Sequence, residues 1–180
     1  MSAEPGMMDR NFERLMLPHL DAAYRLAAAM VRDETAAQDI VQDSYLKALR
    51  AWWRFLPGNE KAWLLTIVRR GALTWLKRTR RGDVAVDDAE ALAPSDAARL
   101  SVSAGQEAAV IAGQSAKRVR AAIDGLSAPL REVIVLKEFE DMAYKDIARI
   151  LGLPVGTVMS RLSRGREALR AVLVRDGHGL

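Results

Sequence analysis

Apolar side chains recur every three or four residues along most of the chain, which is the spacing of an amphipathic helix. Before residue 142 this spacing predicts helices over residues 9–31, 34–53, 60–81 and 106–123 and from residue 129 onward. Pro18 predicts a bend in the first helix, and Asp33 is suited to cap the second. No stretch alternates apolar and polar residues with the period of two that a half-buried strand shows. The pattern therefore predicts an all-α fold.

The segment 142–173 carries the most specific motif of the chain. Its first apolar stripe consists of Tyr144, Ile147, Ala148 and Leu151. Gly152 and Pro154 then interrupt the pattern, since glycine tolerates a tight turn and proline suits the first turn of a new helix. A second stripe consists of Val155, Val158, Leu162, Leu169 and Leu173. Two short helices joined by a glycine-containing turn form a helix-turn-helix.

The second helix of this motif is basic, with five arginines and one glutamate between residues 155 and 175. The polar side chains that lie broadly opposite its apolar stripe are Thr157, Ser160, Arg161 and Arg164. A recognition helix presents such donors to base edges and phosphates in the major groove. An arginine-rich surface helix without a DNA partner is the alternative, but the basic face within the complete motif favours DNA binding.

The chain divides into two helical domains at an acidic stretch. Residues 82–98 contain five acidic residues and no basic one, among small and polar residues that bury little apolar surface. We predict one small domain over residues 1–81, a flexible acidic linker over residues 82–105 and a helix-turn-helix domain over residues 106–180. The acidic charge either keeps the linker soluble or contacts the basic helix that precedes it.

The helix predicted over residues 60–81 has a one-sided charge, with seven basic residues and no acidic one from Lys61 onward. The side chains that share one face of it include Trp63, Arg70, Thr74 and Lys77. A basic strip beside an aromatic ring suits single-stranded or melted DNA, because cations follow the phosphates and the ring stacks on an unpaired base. Trp63 is equally well explained as a core residue. Gly71, inside this helix, predicts a close approach to a neighbour or a local bend.

Composition favours a polyanionic partner and excludes several kinds of site. The net charge is +4 and the isoelectric point is about 9.7, with the basic residues segregated along the chain. There is no cysteine, and the two histidines, His19 and His178, are far apart, so we expect neither disulfides nor a metal site. The sequence contains neither a nucleophile with a base in reach nor a phosphate-binding glycine loop, so nothing in it suggests an enzyme or a cofactor. Without a membrane-length apolar run or a signal peptide, we expect a soluble cytoplasmic protein that does not insert into membranes.

Three runs of the sequence resemble motifs of the sigma-70 family of RNA polymerase sigma factors. The polymerase-binding helix of that family is similar to residues 32–52, RDETAAQDIVQDSYLKALRAW. The helix that contacts the promoter melting site is similar to residues 60–81, EKAWLLTIVRRGALTWLKRTRR. The domain that recognises the −35 element is similar to residues 126–170, LSAPLREVIVLKEFEDMAYKDIARILGLPVGTVMSRLSRGREALR. With only these two domains, the chain looks like the compact extracytoplasmic-function (ECF) group.

The resemblance implies roles for positions that the residue pattern had already singled out. The side chains that would bind core RNA polymerase are Asp39, Gln42 and Asp43, which by pattern alone form only a solvated face. Those at the −10 element and the melted strand would be Asn59, Lys61, Trp63, Arg70, Thr74, Lys77 and Arg78. Those in the −35 major groove would be Thr157, Ser160, Arg161 and Arg164.

The resemblance also implies partners, namely core RNA polymerase, promoter DNA and an anti-sigma factor that holds the factor in a closed form. The function implied is promoter-specific initiation of transcription, with the catalysis supplied by the polymerase. The rival interpretation is a conventional helix-turn-helix regulator that binds duplex DNA without joining polymerase. It predicts a sensing or dimerising domain ahead of the motif, whereas residues 10–81 contain a basic helix suited to open DNA.

Overall fold

The computed structural model describes residues 5–82 and 116–177, with side chains described over residues 10–80 and 116–175. Its helices are α1 (Pro5–Met16), α2 (Leu20–Val31), α3 (Glu34–Arg50), α4 (Glu60–Gly82), α5 (116–124), α6 (Ala128–Ile134), α7 (Tyr144–Leu151) and α8 (Val155–Gly177). Short 3₁₀ turns lie at Leu17–His19 and Trp52–Arg54, and a π-helical turn, Val135–Phe139, follows α6. Both described stretches lack strands, in agreement with the predicted all-α fold. The predicted linker beyond Gly82 and the predicted helix start at Gln106 lie outside them.

The positions where helices begin and end follow from a few residues. Pro18 lies in the 3₁₀ turn that separates α1 from α2, so the predicted bend is confirmed. Asp33 caps α3 as predicted, because its carboxylate accepts a hydrogen bond from the backbone N–H of Ala36 at 2.8 Å. Gly152 ends α7 with a φ of +64°, in the left-handed region that glycine adopts without strain. The first helix begins at Pro5, earlier than the predicted residue 9.

The first helical unit, α1–α4, has its core where α2, α3 and α4 meet. Its fully buried side chains include Met16, Leu26, Leu64, Leu65 and Val68. At Gly71 helix α4 comes so close to α3 that an added Cβ would lie 3.2 Å from Ile40 Cγ2 and 3.3 Å from Ser44 Oγ. The close approach predicted at Gly71 is therefore confirmed. It holds α4, which carries the basic strip, firmly against α3.

The second helical unit, α5–α8, buries the apolar stripes of the helix-turn-helix, and α8 packs on both α6 and α7. The fully buried side chains of this unit include Val133, Leu136, Ile147, Val158 and Leu162. At Gly165 an added Cβ would lie only 2.9 Å from Ile134 Cγ1. The absence of a side chain at this position therefore lets α8 pack tightly against α6.

Four apolar residues that helical spacing places on the predicted core side of their helices are exposed instead. They are Leu49, Phe139, Val155 and Leu173, with 36% to 48% of each residue exposed. All four lie near the beginning or the end of their helical segments. Periodicity identifies the apolar face of a helix, but it does not tell how far along that face a neighbouring helix extends. The predictions for these four residues are wrong for that reason.

The two units also pack directly against each other, a contact that the sequence analysis did not predict. Helix α4 contacts α7 and α2 contacts α6, and one cluster of buried apolar side chains includes residues of both units. Arg131 of α6 is 3% exposed and donates to the backbone oxygen of Ala29 on α2 at 2.8 Å. It also donates to the backbone oxygens of Ile123, Asp124 and Leu126. A buried guanidinium satisfied in this way stabilises the observed arrangement of the two units.

We expect two glycines of α8 to respond in opposite ways to alanine. Gly165→Ala should lower the free energy of unfolding by about 1–3 kcal/mol, because the new Cβ meets Ile134 at 2.9 Å. Gly156→Ala has no atom within 4 Å of its Cβ and should raise the free energy of unfolding by up to about 1 kcal/mol. Urea denaturation followed by circular dichroism measures both values. Equal effects of the two substitutions would contradict the packing described for α8.

Candidate nucleic-acid interface

The predicted basic strip of α4 is exposed along the second half of the helix. Arg70, Thr74, Lys77 and Arg78 all lie on the surface, and the Thr74 hydroxyl donates to the Arg70 backbone oxygen at 2.9 Å. The three cations of this group form no ion pair with any other described residue. Their charge is therefore available to the phosphates of a nucleic acid.

Trp63 is half-buried in a cluster of aromatic rings at the start of α4. Its ring centroid lies 5.0 Å from that of Phe55 and 6.3 Å from that of Trp52. Trp52 and Phe55 stack with centroids 4.6 Å apart and planes at 10°, and Phe12 meets Trp52 edge-on. These partly buried rings pack against the core. Trp63 therefore has a packing role in the fold.

The loop between α3 and α4 places apolar and polar groups side by side. Trp53 and Leu56 are 75% and 83% exposed, respectively. Gly58 has a φ of +109°, which turns the chain towards α4. Asn59 then donates from Nδ2 to Oδ1 of Asp146 on α7, at 2.8 Å. Asn59, predicted to lie at the −10 element, is thus hydrogen-bonded to the second unit.

Lys61, the first cation of α4, is paired with a carboxylate that the sequence analysis did not identify. Its Nζ lies 2.7 Å from Glu140 Oε2 and also donates to the Glu140 backbone oxygen at 2.9 Å. Arg25 on α2 donates from Nε to Glu140 Oε1 at 2.6 Å. The Glu140 side chain is only 2% exposed. No local pattern marks Glu140 in the sequence, because these partners are 79 and 115 residues away.

We expect the stability that Glu140 contributes to disappear at acidic pH. Burial raises the pKa of Glu140, but the hydrogen bonds and charges of Arg25 and Lys61 outweigh burial and lower the pKa below 4.5. A lowered pKa in the folded state stabilises the fold above the unfolded-state pKa, and this contribution is lost as the pH falls through the folded-state pKa. Glu140→Gln should therefore lower the free energy of unfolding by about 1–3 kcal/mol near neutral pH and by progressively less as the pH falls below about 4.5. Urea denaturation over this range measures the difference, and a difference independent of pH would contradict the expectation.

The exposed face of α8 is where the sequence analysis placed the polar side chains. Ser160 and Arg164 are exposed on the side opposite the buried stripe, and Thr157 and Arg161 are half-buried at its flanks. The two predicted DNA-binding arginines of this helix form no ion pair within the described part of the chain. Arg166, in contrast, forms an ion pair inside the second unit. Ser160 Oγ donates to the backbone oxygen of Thr157 at 3.0 Å and Arg164 Nε to that of Ser160 at 3.4 Å, so the remaining guanidinium donors of Arg161 and Arg164 are the ones available on this face.

Met159 is a residue of this surface that the sequence analysis missed. It is 52% exposed and lies next to Ser160. Helical spacing could have predicted that Met159 is exposed, because this residue does not fall on the apolar stripe formed by Val158 and Leu162. An apolar side chain among donors suits contact with the methyl group of a thymine in the major groove.

Helix α3 presents a different kind of surface. Asp39, Gln42 and Asp43 are all exposed on one face of it. Leu46, three residues after Asp43, is 47% exposed and continues this face, although it was not predicted as part of it. Carboxylates repel a nucleic acid, whereas an exposed apolar side chain beside polar ones is typical of a protein–protein contact.

The described residues contain neither a metal-binding cluster nor a membrane-spanning helix. Among them, no group of three or more acidic, histidine or cysteine side chains is arranged to hold a metal ion. Within the same ranges, every helix is too short or too polar to cross a bilayer. The exposed surfaces of these ranges include the cationic faces of α4 and α8, the mixed face of α3 and the apolar loop residues Trp53 and Leu56.

Two family models match the chain, one for each unit. The model described as Sigma-70 region 2 matches residues 15–82, and the model described as Sigma-70, region 4 matches residues 116–169. The matched residues therefore include α2–α4 in full, and α6 and α7 in full with most of α8.

Individual proteins that match the chain are sigma factors as well. The chain is 33% identical over 169 residues to the RNA polymerase sigma-H factor of Pseudomonas aeruginosa, covering 91% of this chain and 86% of that protein. It is 37% identical over 142 residues to the ECF RNA polymerase sigma factor EcfG of Rhodopseudomonas palustris, covering 78% and 73% of the two proteins. Its structure is similar to that of the sigma factor RpoE from Bartonella quintana, solved in complex with the anti-sigma factor NepR. That similarity has a TM-score of 0.70 and 28% identity over 91% of this chain and 97% of RpoE.

Proposed function

This chain belongs to the ECF group of the sigma-70 family of RNA polymerase sigma factors, and we propose how its surfaces divide the recognition of polymerase and promoter. Sigma factors confer promoter specificity on initiation and are not themselves enzymes. We assign polymerase binding, −10 recognition and melting to residues 1–81, a linker role to residues 82–105, and −35 recognition to residues 106–180. The observation that carries this division is the separation of exposed charge: acidic on α3, cationic on α4 and α8.

The face of α3 binds core RNA polymerase. Asp39 and Asp43 would be repelled by DNA phosphates, so their partner is a protein. Gln42 lies between them in the sequence, and Leu46 adds the apolar surface that a protein interface buries at its centre. Acidic and apolar side chains thus share one exposed face of α3.

The α3–α4 loop and the exposed side of α4 bind the −10 element as it melts. Arg70, Lys77 and Arg78, with Thr74 among them, follow the phosphates of the unpaired strand. Asn59, Lys61 and Trp63, at the start of α4, contact the extruded base. Capture of that base offsets the free energy that unstacking it from the duplex requires.

Helix α8 enters the major groove of the −35 element. Its donors are Thr157, Ser160, Arg161 and Arg164, of which Ser160 and Arg164 are the most exposed. Arginine and hydroxyl side chains donate to base edges and to phosphates. The phosphate contacts position the factor, and the few base contacts select the promoter.

We expect the protein in the cytoplasm, where polymerase and promoter DNA are found, and an anti-sigma factor among its partners. The support for this partner is the similarity to RpoE of Bartonella quintana, whose structure contains the anti-sigma factor NepR. Affinity purification from the native host tests it. Recovery of one additional small protein beside the polymerase subunits would support the partner, and recovery of polymerase alone would contradict it.

Reconstituted transcription tests the assignment of α3. Core polymerase and host promoter fragments should give specific transcripts only when the protein is added. Asp39→Ala combined with Asp43→Ala should abolish polymerase binding and transcription, because the acidic part of the α3 face is removed. Glu13→Ala, an exposed substitution on α1, is the matched control and should retain both.

The same assay tests the assignment of α8. Arg161→Ala combined with Arg164→Ala should leave polymerase binding unchanged and weaken promoter binding by about tenfold or more, because each lost base contact is worth about 1–3 kcal/mol. Arg170→Ala is the control, because Arg170 is also exposed on α8 and its substitution removes the same charge per residue. The proposal would be contradicted if the chain alone binds duplex DNA and the α3 substitutions leave transcription by polymerase unchanged. That result would favour a conventional regulator.

A further inference from the structure

The first two turns of α8 expose apolar side chains along one side of the helix. Val155 and Met159 lie one helical turn apart and are 43% and 52% exposed. The packing of α8 on its neighbours is made by Val158 and Leu162, which are fully buried. Neither Val155 nor Met159 belongs to the apolar cluster of the described residues or packs against it. The two side chains are therefore available to a partner outside the chain.

The charged residue that follows on this side of α8 is already paired. Arg166 lies seven residues after Met159, so it falls on the same side of the helix. Its Nε and Nη2 donate to Glu138 Oε1 at 2.9 and 2.7 Å. On the other side of the exposed face, Arg161 and Arg164 form no ion pair within the described residues. One flank of α8 is therefore cationic, whereas the other flank is apolar and attracts phosphates less.

The residues between the two flanks can do little to distinguish one base from another. Ser160 Oγ donates to the backbone oxygen of Thr157 at 3.0 Å, so its proton is engaged within the helix. Gly156 has no side chain, and no atom lies within 4 Å of the position that its Cβ would take. The φ of Gly156 is not positive, so the fold itself does not require glycine there. The open space at Gly156 leaves room for a base edge beside Met159.

Only one base presents an apolar group to a helix in the major groove. Thymine carries a C5 methyl group at that edge, whereas the edges of adenine, guanine and cytosine are read through their donors and acceptors. Methionine suits such a contact, because its side chain is unbranched and adapts to the surface that it covers. On the basis of the proposed function, which places α8 in the −35 element, we propose that Met159 selects a thymine there through the C5 methyl group, with Val155 beside it.

The geometry of the helix limits how many base pairs this contact covers. The Cβ atoms of residues one turn apart, such as Val155 and Met159, are about 6 Å apart. Successive bases of a duplex strand are about 3.4 Å apart along the axis, so the two side chains cover about two base-pair steps. The cationic flank then contacts phosphates or a guanine elsewhere in the element. The inference concerns one or two neighbouring thymines and not the whole −35 sequence.

Deoxyuridine tests the methyl contact without any change to the protein, because it differs from thymidine only by the missing C5 methyl group. The −35 element is first selected from a randomised duplex library by the complex of this chain with core polymerase. Each thymine of the selected element is then replaced singly by deoxyuridine. Replacement should weaken binding by about fourfold at one or two neighbouring positions and have little effect at the others, because a buried methyl group contributes that much.

Met159→Ala tests which residue makes the contact. In complex with core polymerase, this variant should bind the thymine duplex and the sensitive deoxyuridine duplex with equal affinity. Val172→Ala is the matched control, because Val172 is an apolar residue of α8 that is 41% exposed more than three turns farther along. This control should keep the fourfold difference of the wild type. Circular dichroism and retained binding to core polymerase show that each variant is folded.

Met159→Arg should change the base that is preferred. An arginine donates to O6 and N7 of guanine, and it offers no apolar contact to a methyl group. Selection with this variant should therefore return guanine at the position where the wild type selects thymine, with the rest of the element unchanged. Selection of the same thymine by the variant would overturn the assignment of Met159.

The remaining outcomes separate this inference from the proposed function. A selected −35 element without thymine, deoxyuridine without effect at every position, or a Met159→Ala variant that keeps the fourfold difference would overturn the methyl contact alone. A loss of core polymerase binding in folded Met159→Ala would show that this surface contacts protein, which also overturns it. If selection returns no −35 sequence, or the same one when Arg161 and Arg164 are both replaced by alanine, the assignment of α8 itself fails.

Discussion

One buried carboxylate joins the two units of this protein. Glu140 lies between the π-helical turn after α6 and the start of α7, and its side chain is 2% exposed. A buried ion destabilises a fold by several kcal/mol unless other groups compensate its charge. Arg25 of α2 and Lys61 of α4 each pair with one of its oxygens. The arrangement of the second unit on the first therefore depends on charges that the first unit provides.

This dependence relates the fold to the function of a sigma factor. Lys61, one of the two cations that compensate Glu140, lies at the start of α4, to which the −10 element is assigned, so this cation cannot serve both at once. The surfaces assigned to polymerase and to the −35 element lie on the far sides of α3 and α8 and remain exposed. Promoter binding in this account is an exchange, in which nucleic acid replaces protein carboxylates on α4 while the other contacts hold the factor in place.

Features of the fold with local causes could be predicted from the sequence. Asp33 caps the helix that follows it, and helical spacing placed Ser160 and Arg164 opposite an apolar stripe. Spacing does not tell what covers a polar face, so Lys61 looked as accessible as the other cations of α4. Its partner Glu140 is 79 residues away and has the pattern of an ordinary surface charge. The contact between the units thus required the three-dimensional structure, because nothing near these residues in the sequence determines it.

The distance between the two units tests the account most directly. The chain has no cysteine, so Glu13→Cys on α1 and Glu167→Cys on α8, both at exposed positions, allow one pair of fluorescent labels. Energy transfer is measured in the free protein, with core polymerase, and in the open promoter complex. The account predicts a short distance in the free protein and an increase of tens of ångströms in the open complex. An already long distance in the free protein, or the same distance in both states, would contradict it.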